Sequence, residues 1–161
     1  KATRSVVNTH NIGNGLLLTW RASDKMETSL KGDITYRHST GNRENFVPID
    51  VTDFNYGLAT QIELPWNMQL ATDLTMFQRR GYSSSDMNTD ELLWNARLTK
   101  RFFKGNLLLQ FDALDILGQL SNARHYVNAQ GMTQTFYNVI PRYCMMRLTW
   151  RFNKKAKKNE N

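Results

Sequence analysis

The chain has 161 residues, 40% of them hydrophobic, a formal charge of +7 and one cysteine, with a mean hydropathy of −0.56. That length suits one domain with a sizeable core, but the longest apolar runs, such as Leu16–Leu18 and Tyr143–Met146, exclude a spanning helix, which needs about 18 residues. The single Cys144 excludes an internal disulfide and a cysteine-based zinc site.

The positive charge does not point to nucleic acid. Lys154, Lys155, Lys157 and Lys158 against Glu160 supply +3 of it from the C-terminal end, and the remaining cations alternate with acids rather than forming a basic stripe. The chain opens Lys1-Ala2-Thr3 with no leader pattern, which reads as a mature protein or as a piece of a longer one.

Period-two alternation runs through the chain and predicts strands near 12–22, 27–39, 52–64, 68–80, 91–102, 106–115 and 135–152. An eighth is expected at 3–10, joined through Asn11-Ile12-Gly13-Asn14-Gly15; otherwise 3–22 is one long strand. The short breaks are Ala22–Lys25, Leu64–Asn67 and Phe103–Asn106. The long ones are Thr40–Asp50, Gly81–Asp90 and about Leu117–Gln134. Short and long connections alternate strictly, as in a meander of hairpins with a short-turn end and a long-loop end.

Each strand divides into two faces. In 52–64, Phe54, Tyr56, Leu58, Ile62 and Leu64 oppose Asp53, Asn55, Gln61 and Glu63. In 68–80, Met68, Leu70, Leu74 and Met76 oppose Gln69, Asp73, Thr75 and Arg79. In 91–102, Leu92, Trp94, Ala96, Leu98 and Phe102 oppose Asn95, Arg97, Thr99 and Arg101, with Lys100 an exception on the apolar side. Parity then flips, so that Leu107, Leu109, Phe111 and Ala113 oppose Gln110 and Asp112. Strand 27–39 is weaker, with Leu30, Ile34 and Tyr36 against Glu27, Lys31, Asp33 and Arg37. In the last strand Cys144, Met146, Leu148, Trp150 and Phe152 oppose Tyr143, Met145, Arg147, Thr149 and Arg151.

The apolar face could be a soluble core or a lipid surface. Two features favour lipid. The strands run to about 11–13 residues, where soluble ones average about 5–6 and outer-membrane ones need about 9–11. The apolar-face aromatics also gather at strand ends, with Trp20, Phe102, Trp150 and Phe152 by the short turns or the C-terminal end and Tyr36, Phe54, Tyr56 and Trp94 by the long loops. Leu, Ile, Met and Ala fill the middles. Two aromatic belts around an aliphatic band are what the two interfaces of a bilayer select. The fold class expected is therefore all-β, an antiparallel meander of seven or eight long transmembrane strands forming part of an outer-membrane β-barrel. Short turns and the C-terminal end would face the periplasm, and long loops the exterior.

Leu64-Pro65-Trp66-Asn67, Leu93-Trp94-Asn95-Ala96, Lys100–Asn106, Asp112-Ala113-Leu114-Asp115-Ile116-Leu117 and Leu148-Thr149-Trp150-Arg151-Phe152-Asn153 follow one another in this order. Together they make residues 64–153 resemble the last strands of a TonB-dependent outer-membrane receptor. Gly118 stands where that family commonly has Asn, and Trp150 where its closing strand usually has Tyr. The resemblance implies a barrel of many more strands, an N-terminal plug domain and a segment that binds TonB, in the outer membrane of a Gram-negative bacterium. On that reading residues 1-153 are the C-terminal portion of the barrel and 154-161 a basic periplasmic tail. The partners are outer-membrane lipid, the remaining strands, the plug and TonB, and the function is nutrient uptake without catalysis or cofactor. A complete eight-stranded barrel used for adhesion or as a structural anchor is the competing expectation.

Little else suggests chemistry. His10, His38 and His125 share no metal-ligand spacing, although His38 and His125 are expected near one another at the loop end. Asp112 and Asp115 are expected to cap a short helical turn around Ile116–Leu120, and Cys144 to be an inert thiol on the apolar face. Gly131 and the Asn-rich stretch 121–138 form the longest loop, suited either to substrate contact or to simple solvation. Arg97, Arg101, Arg147 and Arg151 share the polar face near the short-turn end, where with Asp73 and Glu63 they contact a plug or pair among themselves.

Overall fold

A computed structural model describes residues 6–42, 46–121, 123–128, 131–138 and 140–152. The chain is all-β, with no α-helix among the described residues. Strands β1 (Val7–Ser23), β2 (Met26–Gly41), β3 (Ile49–Leu64), β4 (Met68–Arg80), β5 (Asp90–Phe102), β6 (Leu107–Leu114) and β9 (Tyr143–Trp150) form one antiparallel sheet in that order. Strands β7 (Ala123–Asn128) and β8 (Gly131–Phe136) make a separate hairpin within the connection from β6 to β9.

The register follows the alternation. Phe102 stands opposite Leu107, so the apolar parity flips across the third short turn as the sequence requires. That turn and Pro65-Trp66-Asn67 each carry two consecutive left-handed residues, Trp66–Asn67 (φ 61° and 57°) and Phe103–Lys104 (φ 50° and 57°). Such turns match the twist of the strands they join.

Of the two alternatives for the first strand the single long one holds: Val7–Ser23 is one strand of 17 residues, because β2 offers it an unbroken row of partners from Gly41 down to Met26. Two expectations are corrected. The stretch 135–152 is not one strand. Pro141, which has no N–H for a ladder, and Arg142, held at φ 48°, separate β8 from β9. The long loop is not structureless but holds the β7–β8 hairpin. The signal was present: β-formers in His125-Tyr126-Val127 and Met132-Thr133 flank a two-residue connection, with Gly131 directly after it. The proposed tail, residues 154–161, lies outside the described residues.

The short turns step steadily across the sheet. Met26, at the start of β2, is opposite Ile62, two residues short of the end of β3. Met68, at the start of β4, is opposite Lys100, two residues short of the end of β5. The line of turns therefore slides by one residue per strand. With about 3.3 Å per residue and about 4.8 Å between strands, that is a strand tilt of about 35° to the normal of this line. Closed barrels require a tilt of about 35–45°. β1 and β9 are the edges of the sheet, do not pair with each other, and run in the same direction, both toward the short-turn end.

Candidate membrane-embedding surface

In the middle strands the buried side chains lie on the polar face and the exposed leucines on the apolar one, although the long polar-face side chains Gln61, Arg97 and Arg101 are exposed too. Leu74 is 39% exposed, while its neighbour Thr75 is 3% exposed. Directly opposed residues build continuous apolar rows, Leu18–Leu30–Leu58–Leu74–Trp94 and Ile62–Leu70–Leu98–Phe111–Met146. The residues buried within the sheet are Val51, Gly57, Ser39, Thr75, Thr99, Gln110 and Asp112, all but Val51 and Gly57 polar. This inverts the burial of a water-soluble sheet, where the apolar rows would be covered.

Of the eight expected interface aromatics, Trp20, Tyr36, Tyr56, Trp94, Phe102, Trp150 and Phe152 are exposed and Phe54 is half-buried. Trp94 and Phe102 lie eight positions apart on β5, about 26 Å along the strand, or about 20 Å between belts once tilted. Three further exposed aromatics were not among those expected at an interface. Phe111 lies on the apolar face of β6. Trp66 and Phe103 sit in the short turns, where alternation gives no signal, and are 80% and 66% exposed. Their left-handed backbone costs on the order of 1–3 kcal/mol each. Phe103, Trp150 and Phe152 form one cluster, with ring centroids 5.8 and 6.0 Å apart in sequence.

Polar groups on this face are confined to its margins or satisfied locally. Near the loop end the Tyr36 hydroxyl donates to Asp50 at 2.8 Å, and His38 Nδ1 lies 2.5 Å from the same oxygen. Arg80 donates to Asp90 at 2.6 Å. At the short-turn end Lys100 is no exception to the pattern. Its ammonium reaches back to the Trp66 carbonyl and lies 5.5 Å from the Phe102 ring centre, its stem along the apolar surface. The Trp94 indole N–H donates to Thr72 Oγ1 at 2.9 Å, and that hydroxyl donates to the Asn95 carbonyl, so neither group needs water.

The polar face carries a cross-strand network. Arg97 Nε donates to Asp112 Oδ1 at 2.5 Å and Gln110 Nε2 to Asp112 Oδ2 at 2.7 Å. Asp112 is thus a sheet residue and not a cap. Asp115 alone holds the following turn, accepting from the Gln119 and Leu120 N–H groups at 3.0 and 3.2 Å, and that turn is not helical. Arg101 reaches Glu63 at 3.8 Å, and Asp73 accepts from Asn95 rather than from an arginine.

The β4–β5 loop folds over the loop end of this face. Tyr82 Oη donates to both carboxylate oxygens of Asp53 at 3.0 and 3.1 Å, and Met87, in the 3₁₀ turn Ser85–Met87, is fully buried. Asn88 ties the loop to itself through Tyr82 and Ser84. Gly81, at φ 85°, passes so close to the Asp50 carbonyl that a Cβ would stand 2.2 Å from it. Burial, and then the bond to Asp53, push the Tyr82 hydroxyl from 10.0 up to about 12.

His10 stands opposite His38 in the register, and His38 pairs with Asp50; the His125 side chain lies outside the described residues. Among the described residues no three His, Cys, Asp or Glu side chains gather where they could hold a metal ion. Cys144 is exposed on the apolar parity. No family model, curated protein or solved structure matches the chain.

Proposed function

We propose that this chain is the C-terminal part of an outer-membrane β-barrel transporter of the TonB-dependent kind, taking up a nutrient ligand without chemistry of its own. The observation that carries the membrane reading is the inversion of burial. A sheet that exposes rows of leucine while Thr75, Thr99 and Asp112 are buried supports a setting in which the exposed rows meet hydrocarbon. The tilt of about 35°, the belts at both ends and the aromatics kept on strained turns favour the same setting. The two edges support a barrel with further strands. Unpaired backbone groups are costly in hydrocarbon, and β1 and β9 run in the same direction, so antiparallel closure needs additional strands between them.

The transporter assignment, with its plug and TonB, rests on the resemblance across residues 64–153. Its test is ligand uptake by cells expressing the full-length protein, with and without TonB. Uptake that persists unchanged without TonB overturns it. The membrane reading has its own test, reconstitution into vesicles of brominated lipid. Quenching of the tryptophan fluorescence is expected, and a chain that stays in buffer, unquenched, overturns it.

A further inference from the structure

The two free edges of the sheet differ in charge. On the polar face of β1, Arg21 is paired with Glu27 at 2.8 Å, and the other positions, Thr9, Asn11, Gly13, Gly15, Leu17 and Thr19, are uncharged. On β9 the same face carries Arg147, and Arg151 continues that parity one residue past the strand, its N–H still bonded to the Asn106 carbonyl at 2.8 Å; both are exposed. Neither makes an ion pair among the described residues. Arg147 stands opposite Gln110, diagonal to Asp112, but both oxygens of that carboxylate are already taken by Arg97 and Gln110. Arg147 also feels the charge of that carboxylate across the strand pair. Two cations four residues apart on one face of an open edge lie within reach of the next strand as well.

We propose that the free edge of β9 takes an antiparallel strand whose polar-face positions beside Arg147 and Arg151 carry carboxylates. The backbone ladder supplies affinity in this mode of recognition, and alternate side chains supply selectivity. A second copy of the chain does not meet the requirement. In the same membrane orientation it would bring β1 to β9 in parallel, with no free acid on its polar face. The inference rests on the membrane reading and adds to it the chemistry of the missing neighbour.

The test uses the 161-residue chain in detergent micelles with synthetic strand peptides about ten residues long, the length of a membrane strand. The peptides share one apolar face and differ on the other, which carries glutamate, lysine or serine. Amide hydrogen exchange is read across β9 and β1. The glutamate peptide is expected to slow exchange in Tyr143–Trp150 by about tenfold more than the others, and the Arg147→Glu, Arg151→Glu double variant to transfer that preference to the lysine peptide. Equal protection by all three peptides, protection confined to β1, or self-pairing of the chain through β9 that no peptide displaces would each overturn the proposal. A chain that is soluble and monomeric without detergent would instead overturn the membrane reading, while the charge preference could still be measured in buffer.

Discussion

Leu74 and Thr75 are consecutive on β4, and the apolar one is the exposed one, at 39% against 3%. A Cβ on Gly57, directly opposite Thr75, would stand 2.9 Å from Thr75 Oγ1 and 2.5 Å from the Leu74 carbonyl. The small polar side chain is therefore packed into the sheet while the leucine faces outward, in the middle of the row from Leu18 to Trp94.

The first expectation compares the two faces of the sheet. Leu74→Arg should destabilise the assembled protein by about 2–4 kcal/mol, the cost of a cation at the middle of a bilayer. Gln61→Arg, at an exposed position of the polar face, should stay within about 0.5 kcal/mol of the parent. Thr75 is too tightly enclosed to accept the same replacement as a control. Urea unfolding in lipid vesicles measures both, and a reversed order would mean the sheet faces the other way.

Gly57 is expected to resist even a methyl group. Gly57→Ala should cost about 1–3 kcal/mol by overpacking against the β4 backbone. Gly32→Ala, whose nearest neighbour would be Tyr56 Cβ at 3.9 Å, should be close to neutral or slightly favourable. Equal unfolding midpoints for the two variants would contradict the close approach of β3 and β4.

The loop over the polar face should be sensitive to alkali. Tyr82 is held protonated up to about pH 12, above its ordinary 10.0. A group whose folded pKa is raised stabilises the fold fully below its unfolded pKa and loses that contribution as pH climbs through the folded one. Loop stability should therefore be level up to about pH 10 and fall between about 10 and 12. Tyr82→Phe should remove that fall, as read by exchange of the Ser84–Asn88 amides against pH.

The aromatic cluster at the end of β9 should matter more than the lysines after it. Phe103, Trp150 and Phe152 stack within about 6 Å of their neighbours at the short-turn margin, where amphipathic rings are favoured. In the full-length protein, Trp150→Ala with Phe152→Ala should sharply lower the folded fraction in the membrane. Deletion of 154–161 should leave it nearly unchanged. Heat-modifiable migration on gels distinguishes them, and equal losses from both would place the functional end of the strand elsewhere.

Much of the sheet was legible because period-two alternation is a local property. It located every strand of the seven-stranded meander and the two faces of each. Asn11–Gly15 left the first strand open between one piece and two, because turn-forming residues report a local preference, and pairing with the sixteen residues of β2 decided for one. The β7–β8 hairpin was hidden inside a polar stretch whose composition resembles a loop.

The partners of the charged residues were not legible. Arg97 and Asp112 are 15 positions apart, and so are ordinary members of two alternating strands until register sets them opposite each other. Asp112 and Asp115 look alike in sequence, yet one closes a cross-strand network and the other a turn, since Leu114 ends the strand between them. Lys100 breaks the apolar pattern on paper, and only the neighbouring hairpin's Trp66 carbonyl accounts for it. The sequence by itself determined which side of each strand is apolar, because side chains alternate whatever the strand pairs with. The tilt, the network around Asp112, the folded loop over Asp53 and the place of Arg147 and Arg151 at the sheet's open edge were decided by tertiary structure, because register is a relation between strands and no single strand contains it.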